Sequence, residues 1–223
     1  SLGLWSTVIA YLISIPLGIR KAVKDGSRFD TWTSGAIIAA YAIPGFLFAI
    51  LLLVMFAGGS YWQIFPLRGL TSDNWESLSL IGKVGDYAWH IALPVIASTI
   101  GAFATLTLLT KNSFLDEIKK QYVITARAKG LPARLVLRRH ALRNALIAPF
   151  TIIMLQINWL LSGVIVVEYA FAYKGFGALL LEASLTKDIF MIEACALVAV
   201  FVAVTSQLVS DIGYTYLNPR IRF

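Results

Sequence analysis

The residues of greatest chemical reach in this chain lie in one basic segment, Gln121-Tyr122-Val123-Ile124-Thr125-Ala126-Arg127-Ala128-Lys129-Gly130-Leu131-Pro132. Arg127 and Lys129 can hold carboxylates of a partner through charge-assisted hydrogen bonds. The small residues between them let another surface come close. Gly130 suits the position just past a helix C-terminus, and Pro132 suits the first turn of the next helix. The segment therefore reads as a short helix ending near Lys129, followed by a second helix that begins at Pro132 and continues into an apolar stretch. Tyr122, Val123, Ala126 and Lys129 fall at i, i+1, i+4 and i+7 of the short helix. Two readings stay open. The segment docks a soluble partner, or it is a basic helix lying on anionic headgroups.

Nothing beside it suggests covalent or hydrolytic chemistry. There is no His-x-x-Glu-His or Gly-x-Ser-x-Gly pattern, no pair of aspartates along a helix and no metal-ligand spacing. The phosphate-binding pattern Gly-x-x-x-x-Gly-Lys is missing too, so ATP hydrolysis is not expected of this chain. No cofactor and no metal is expected. The other chemically distinct groups are neutral and lie inside apolar stretches: Gln156, Asn158 and Ser162, then Thr205, Ser206 and Gln207. They fit the lining of a wet translocation path, and equally hydrogen bonds between helices.

The elements that position these residues follow from composition. The chain is 58% hydrophobic and 14% charged, where a soluble domain carries about 25% charged residues. Its mean hydropathy is +0.76. A hydrocarbon core of about 30 Å needs about 20 helical residues, and five stretches qualify: 2–19, 33–57, 88–110, 141–167 and 191–214. None alternates as a membrane strand would. The expected fold is all-α, a polytopic membrane helix bundle with five crossings. The first four crossings each hold one proline, Pro16, Pro44, Pro94 and Pro149, with the sharpest break expected at Ile43-Pro44-Gly45.

The net charge of +7 reports topology rather than nucleic-acid binding. Arg20, Lys21, Lys24 and Arg28 follow the first crossing. Lys111, Lys119, Lys120, Arg127, Lys129, Arg134, Arg138, Arg139 and Arg143 follow the third, and Arg220 and Arg222 the fifth. Only Arg68, Lys83, Lys174 and Lys187 fall on the opposite side. The basic side is cytoplasmic by this asymmetry, which puts Ser1 outside and the C-terminus inside. Loops 58–87 and 169–190 are then external, with Tyr61, Trp62, Tyr87 and Trp89 at interfacial depth. The chain starts without Met and in helical character, so it reads as lacking an upstream helix that would make six crossings. Cys195 has no partner for an internal disulfide.

Three passages carry a resemblance. They are Leu109 to Glu117 (LTKNSFLDE), Tyr122 to Leu131 (YVITARAKGL) and Arg139 to Leu146 (RHALRNAL). Together they resemble the permease subunits of bacterial binding-protein-dependent ABC importers, closest to the dipeptide/oligopeptide branch. The early stretches SIPLGIRKA, from Ser14, and FAGGSY, from Phe56, are similar to the variant that imports microcin-C-like peptides. The ending from Ser210 to Arg222 (SDIGYTYLNPRIR) is similar to the branch as well. The resemblance covers nearly the whole chain. It implies a type I ABC importer permease fold, one transmembrane domain over 1–223 with a cytoplasmic coupling segment at about 111–140, and residence in the bacterial inner membrane. It implies a non-catalytic subunit whose partners are a second, different permease chain, two ATP-binding subunits and a periplasmic solute-binding protein. It further implies that Tyr122, Thr125, Ala126, Arg127, Ala128, Lys129, Gly130 and Leu131 form the coupling helix, and that the cargo is a peptide. Nickel and glutathione importers share the architecture. The family's acidic consensus residue, six positions before the glycine, is Ile124 here. The loop that usually reads Pro-Gly-Leu-Gly is Lys174-Gly175-Phe176-Gly177, and the tail motif Asp-Pro-Arg is Asn218-Pro219-Arg220. An autonomous secondary transporter would need coupling carboxylates in the membrane and inverted repeats, and neither is visible. An intramembrane enzyme would need ionisable groups at mid-crossing, which are missing as well.

Overall fold

The computed structural model describes residues 2–58, 61–153, 165–173 and 175–217. All regular structure among them is helical. Helix α1 is Leu2–Val23, α2 Arg28–Tyr41, α3 Gly45–Phe56 and α4 Leu80–Ile118. The short helices α5, Gln121–Ala128, and α6, Ala133–Val136, lead through a π-helical turn, Leu137–Ala141, into α7, Leu142–Ala145. Residues 147–153 are helical. Then come α8, Ile165–Ala170, α9, Phe176–Thr186, and α10, Ile189–Leu217.

Helices α1, α4 and α10 are long and apolar enough to cross a membrane. They match the expected crossings 2–19, 88–110 and 191–214. At 39 residues, α4 is about 58 Å long, so it outruns the hydrocarbon core. Pro16 and Pro94 sit inside α1 and α4, which membrane helices tolerate. The expected crossing at 33–57 is not one straight helix. α2 and α3 meet at 92°, and Pro44 stands at the N-cap of α3. A proline disfavours helical backbone at the residue before it, so Ile43 is non-helical and α2 stops at Tyr41. The middle of the expected crossing at 141–167 lies outside the described residues.

The described residues divide into two compact units. One is drawn from Ser1–Val8, Ala42–Gly101 and Asn158–Ala203, the other from Ile9–Tyr41, Ala102–Ile157 and Val204–Phe223. In the second unit α1 and α4 pack closely because Gly18 has no side chain. A Cβ there would lie 2.7 Å from Thr110 Cβ and 2.8 Å from the Thr107 carbonyl oxygen. Ser14 Oγ donates to the Phe103 carbonyl at 3.2 Å and Tyr11 Oη to the Pro149 carbonyl at 3.3 Å. In the first unit Thr99 Oγ1 reaches the Ser6 carbonyl at 3.5 Å, and the rings of Phe65 and Trp89 stack with centroids 4.4 Å apart.

Lys21 and Lys111 are more than loop charges. The side chain of Lys21 is fully buried. Its Nζ donates to the Asp30 carbonyl oxygen at 2.9 Å, Thr33 Oγ1 at 2.6 Å and Ser34 Oγ at 2.8 Å, and pairs with Asp30 Oδ1 at 3.0 Å. Lys111 pairs with Asp30 Oδ2 at 2.7 Å and Asp25 Oδ1 at 2.9 Å. Two lysines and two aspartates thus tie the end of α1, the start of α2 and α4 together.

Candidate functional site: a buttressed short helix

The basic segment folds as expected. α5 ends at Ala128 with Lys129 at its C-cap, and Gly130 takes φ +80°, a conformation that costs residues with a Cβ about 1–2 kcal/mol. Pro132 occupies the N-cap of α6, one place before the first-turn position expected of it. The second helix does not run unbroken, since the π-helical turn interrupts it at Leu137–Ala141.

The inner face of α5 is welded to its own unit. Val123, 0% exposed, and Ala126, 7% exposed, join Ala22, Phe114, Val136, Ala141 and Ala145 in one apolar cluster. Ala126 was expected among the residues facing a partner, and that expectation is corrected. Alanine is there because the chain's own helices close over it.

A polar network fixes the other side. Tyr122 Oη donates to Glu117 Oε2 and receives a hydrogen bond from Asn144 Nδ2 at 2.9 Å. The His140 carbonyl oxygen lies 3.2 Å from the same hydroxyl, and Lys120 pairs with Glu117 Oε1. Burial pushes the Tyr122 phenol up from its usual range, and the Glu117 carboxylate adds to that shift. The hydroxyl therefore stays protonated and keeps donating. In the sequence Glu117 and Asn144 belong only to the resemblance and do not read as partners of Tyr122, because neither sits at a spacing that a helix alone would pair with it.

What remains outward is Ile124, Thr125, Arg127, Ala128, Lys129, Gly130 and Leu131, all exposed. This is a short exposed stretch with one aliphatic side chain near each end and two cations between. Such a stretch can enter a groove lined by carboxylates and apolar surface. It holds no nucleophile, base or metal ligand, and no group of three or more potential metal-ligating residues occurs among the described residues.

Residues 14–223 match the family of binding-protein-dependent transport system inner membrane components. The chain belongs to that family. It is a multi-pass inner membrane protein. It is 53% identical over its full length to the inner membrane ABC transporter permease protein YejB of Escherichia coli O157:H7, of which it covers 62%. It is 51% identical to the peptidoglycan transport system permease protein YejB of Agrobacterium fabrum, again with all of this chain and 62% of that one. The oligopeptide transport system permease protein AppB of Bacillus subtilis is 33% identical, with 100% and 68% covered. The chain thus spans 62% of the length of the first two relatives.

Of the other residues expected at a site, Gln156, Asn158 and Ser162 lie outside the described residues, as do Lys174 and Asn218-Pro219-Arg220. Gly175 and Gly177 are described, and they wrap a carboxylate that sequence reasoning did not single out. Glu168 is 5% exposed, and its Oε2 accepts from the Ala178 amide at 2.9 Å. Gly175, at the N-cap of α9, offers no side-chain cap, so Glu168 satisfies one of the helix's unpaired amides. A Cβ at Gly175 would overlap that carboxylate, and one at Gly177 would lie 2.6 Å from Ile165 Cγ1. The signal in the sequence was a lone Glu shortly before a Gly-x-Gly pair.

Proposed function

We propose that this chain is a permease subunit of an ATP-driven peptide importer, with α5 as the element that docks an ATP-binding subunit. One observation carries this reading. α5 turns Val123 and Ala126 into its own core while it and the turn after it present Ile124, Thr125, Arg127, Lys129 and Leu131 outward. A basic helix lying on headgroups needs no such buttress, whereas one that transmits force does. In this reading movement of the ATPase pushes on a rigid lever joined to α4 and α7. The complex comprises a second, different permease chain, two ATP-binding subunits and a periplasmic solute-binding protein. Gln156, Asn158 and Ser162 line part of the path. The relatives named for oligopeptide and peptidoglycan transport support a peptide cargo, and a microcin-C-like peptide rests on the resemblance of the stretches from Ser14 and Phe56 alone.

The test is co-purification of the ATP-binding subunits from membranes. Arg127→Glu reverses a charge on the exposed stretch and should abolish their recovery while the permease accumulates normally. Full recovery, with peptide uptake unchanged, would return α5 to the headgroup reading.

A further inference from the structure

The unit containing α8 and α9 holds a cavity of about 720 Å³, within the usual range for small-molecule sites. Among its lining residues are Arg68, Glu168, Tyr169, Tyr173, Phe176 and Glu182. Glu168 is the buried carboxylate whose Oε2 caps α9. Its Oε1 accepts no hydrogen bond from a described residue, and no described cation lies within 4.0 Å of it. Arg68 and Glu182 share the same walls, yet no ion pair joins Arg68 to either carboxylate among the described residues. Opposite charges that line one cavity without neutralising each other are complementary to a ligand bearing both. No described cation offsets the cost of burying this carboxylate, and a bound ammonium would. The rings of Tyr169 and Phe176 add faces on which a cation is stabilised.

We propose that this cavity binds a short peptide by its two free termini, with the ammonium at Glu168 and Glu182 and the carboxylate at Arg68. The proposal rests on the peptide-importer reading and deepens it. Arg68 and α9 fall in the segments that the distribution of basic residues puts outside, where cargo would arrive. Arginine offers the planar fork that matches a carboxylate, and the aromatic walls tolerate varied side chains.

The test uses the complete importer in nanodiscs without its solute-binding protein. Equilibrium binding is measured for tritiated tri-alanine, its N-acetyl form and its C-amide. Glu168→Gln keeps an oxygen to cap α9 and removes the charge. It should weaken binding of the free tripeptide at least about tenfold, the worth of a charged hydrogen bond, and leave the N-acetyl form unaffected. Arg68→Gln, on an exposed loop, should weaken the free acid by a similar factor and spare the amide. Unchanged affinity in Glu168→Gln would leave Glu168 as a helix cap only and overturn the proposal. If Glu168→Gln fails to accumulate, unchanged affinity in Arg68→Gln overturns it alone. Equal weakening of free and blocked peptides also overturns it, because the loss then tracks structure and not termini. Uptake by the wild-type importer with its binding protein is measured in parallel. Peptide uptake with the variants binding normally sinks this proposal alone, whereas a wild type that imports no peptide sinks the importer reading with it.

Discussion

Lys21 has no exposed side-chain surface and meets one carboxylate among the described residues, Asp30. Asp30 itself meets two lysines, and the second, Lys111, also reaches the half-exposed Asp25. The four charges are therefore unequal in what their loss leaves behind. Asp30→Ala strands a buried ammonium, and removing one member of a buried pair costs about 3–5 kcal/mol. Lys111→Met removes the one member that α4 contributes, but it leaves Asp30 paired with Lys21 and releases the half-exposed Asp25 to water, so it should cost less than Asp30→Ala and more than the roughly 0–1 kcal/mol of an exposed pair. Thermal unfolding of the detergent-purified protein should place Asp30→Ala lowest and Lys111→Met between it and wild type. Equal midpoints would mean that the cluster does not hold α1, α2 and α4 together. From sequence both lysines read as topology signals, because a charge at a crossing's end looks the same whether it meets water or a partner 9 or 81 residues away.

Helix α5 depends on two features with separable consequences. Gly130 has positive φ with no atom within 4 Å of where a Cβ would stand, so any substitution there acts through the backbone alone. Asn, which visits left-handed backbone more readily than other residues, should retain recovery of the ATP-binding subunits. Val, strained by about 1–2 kcal/mol, should lose it. Equal recovery in Gly130→Asn and Gly130→Val would show that the turn does not set the helix's direction. The Tyr122 hydroxyl is the second feature. Tyr122→Phe removes its bond to the Glu117 carboxylate, and bonds to charged groups contribute about 1.5–3 kcal/mol. Amides of residues 121–131 should then exchange faster, with those of α4 unchanged. Uniform protection would sink the buttress argument. The stop at Gly130 and the restart at Pro132 were legible, because local backbone chemistry dictates them. So was the break at Pro44, though not its 92° angle. The burial of Ala126 was not legible, since which side of an eight-residue helix faces inward is decided by Phe114 and Val136 on other elements. Ala126→Glu would therefore destabilise the bundle itself rather than report on docking.

At the scale of the whole molecule, α10 decides what surrounds the chain. Only 11% of its most apolar window is buried against the rest of the protein, and Phe190, Leu197, Phe201, Val204 and Ile212 stand exposed. In water such a helix would drive aggregation. In a membrane it faces lipid or a neighbouring protein, and its 29 residues are ample to span. Spanning alone does not orient a protein, and here the basic residues set the direction. Fifteen of the nineteen Lys and Arg flank the ends read as cytoplasmic, and that excess drives retention on the inside. Loop 58–87 then faces out and the α5–α6 segment faces in. Both sides offer exposed positions, Asp73 and Arg134, while the native Cys195 is buried and can be replaced by Ser to leave a silent background. A membrane-impermeant maleimide added to intact spheroplasts should label Asp73→Cys and not Arg134→Cys, and lysis should make the second site reactive. Labelling at 134 with 73 protected would invert the chain. It would move α5 away from any cytoplasmic ATPase and the Arg68–Glu168 cavity away from incoming cargo, so one measurement bears on both functional assignments.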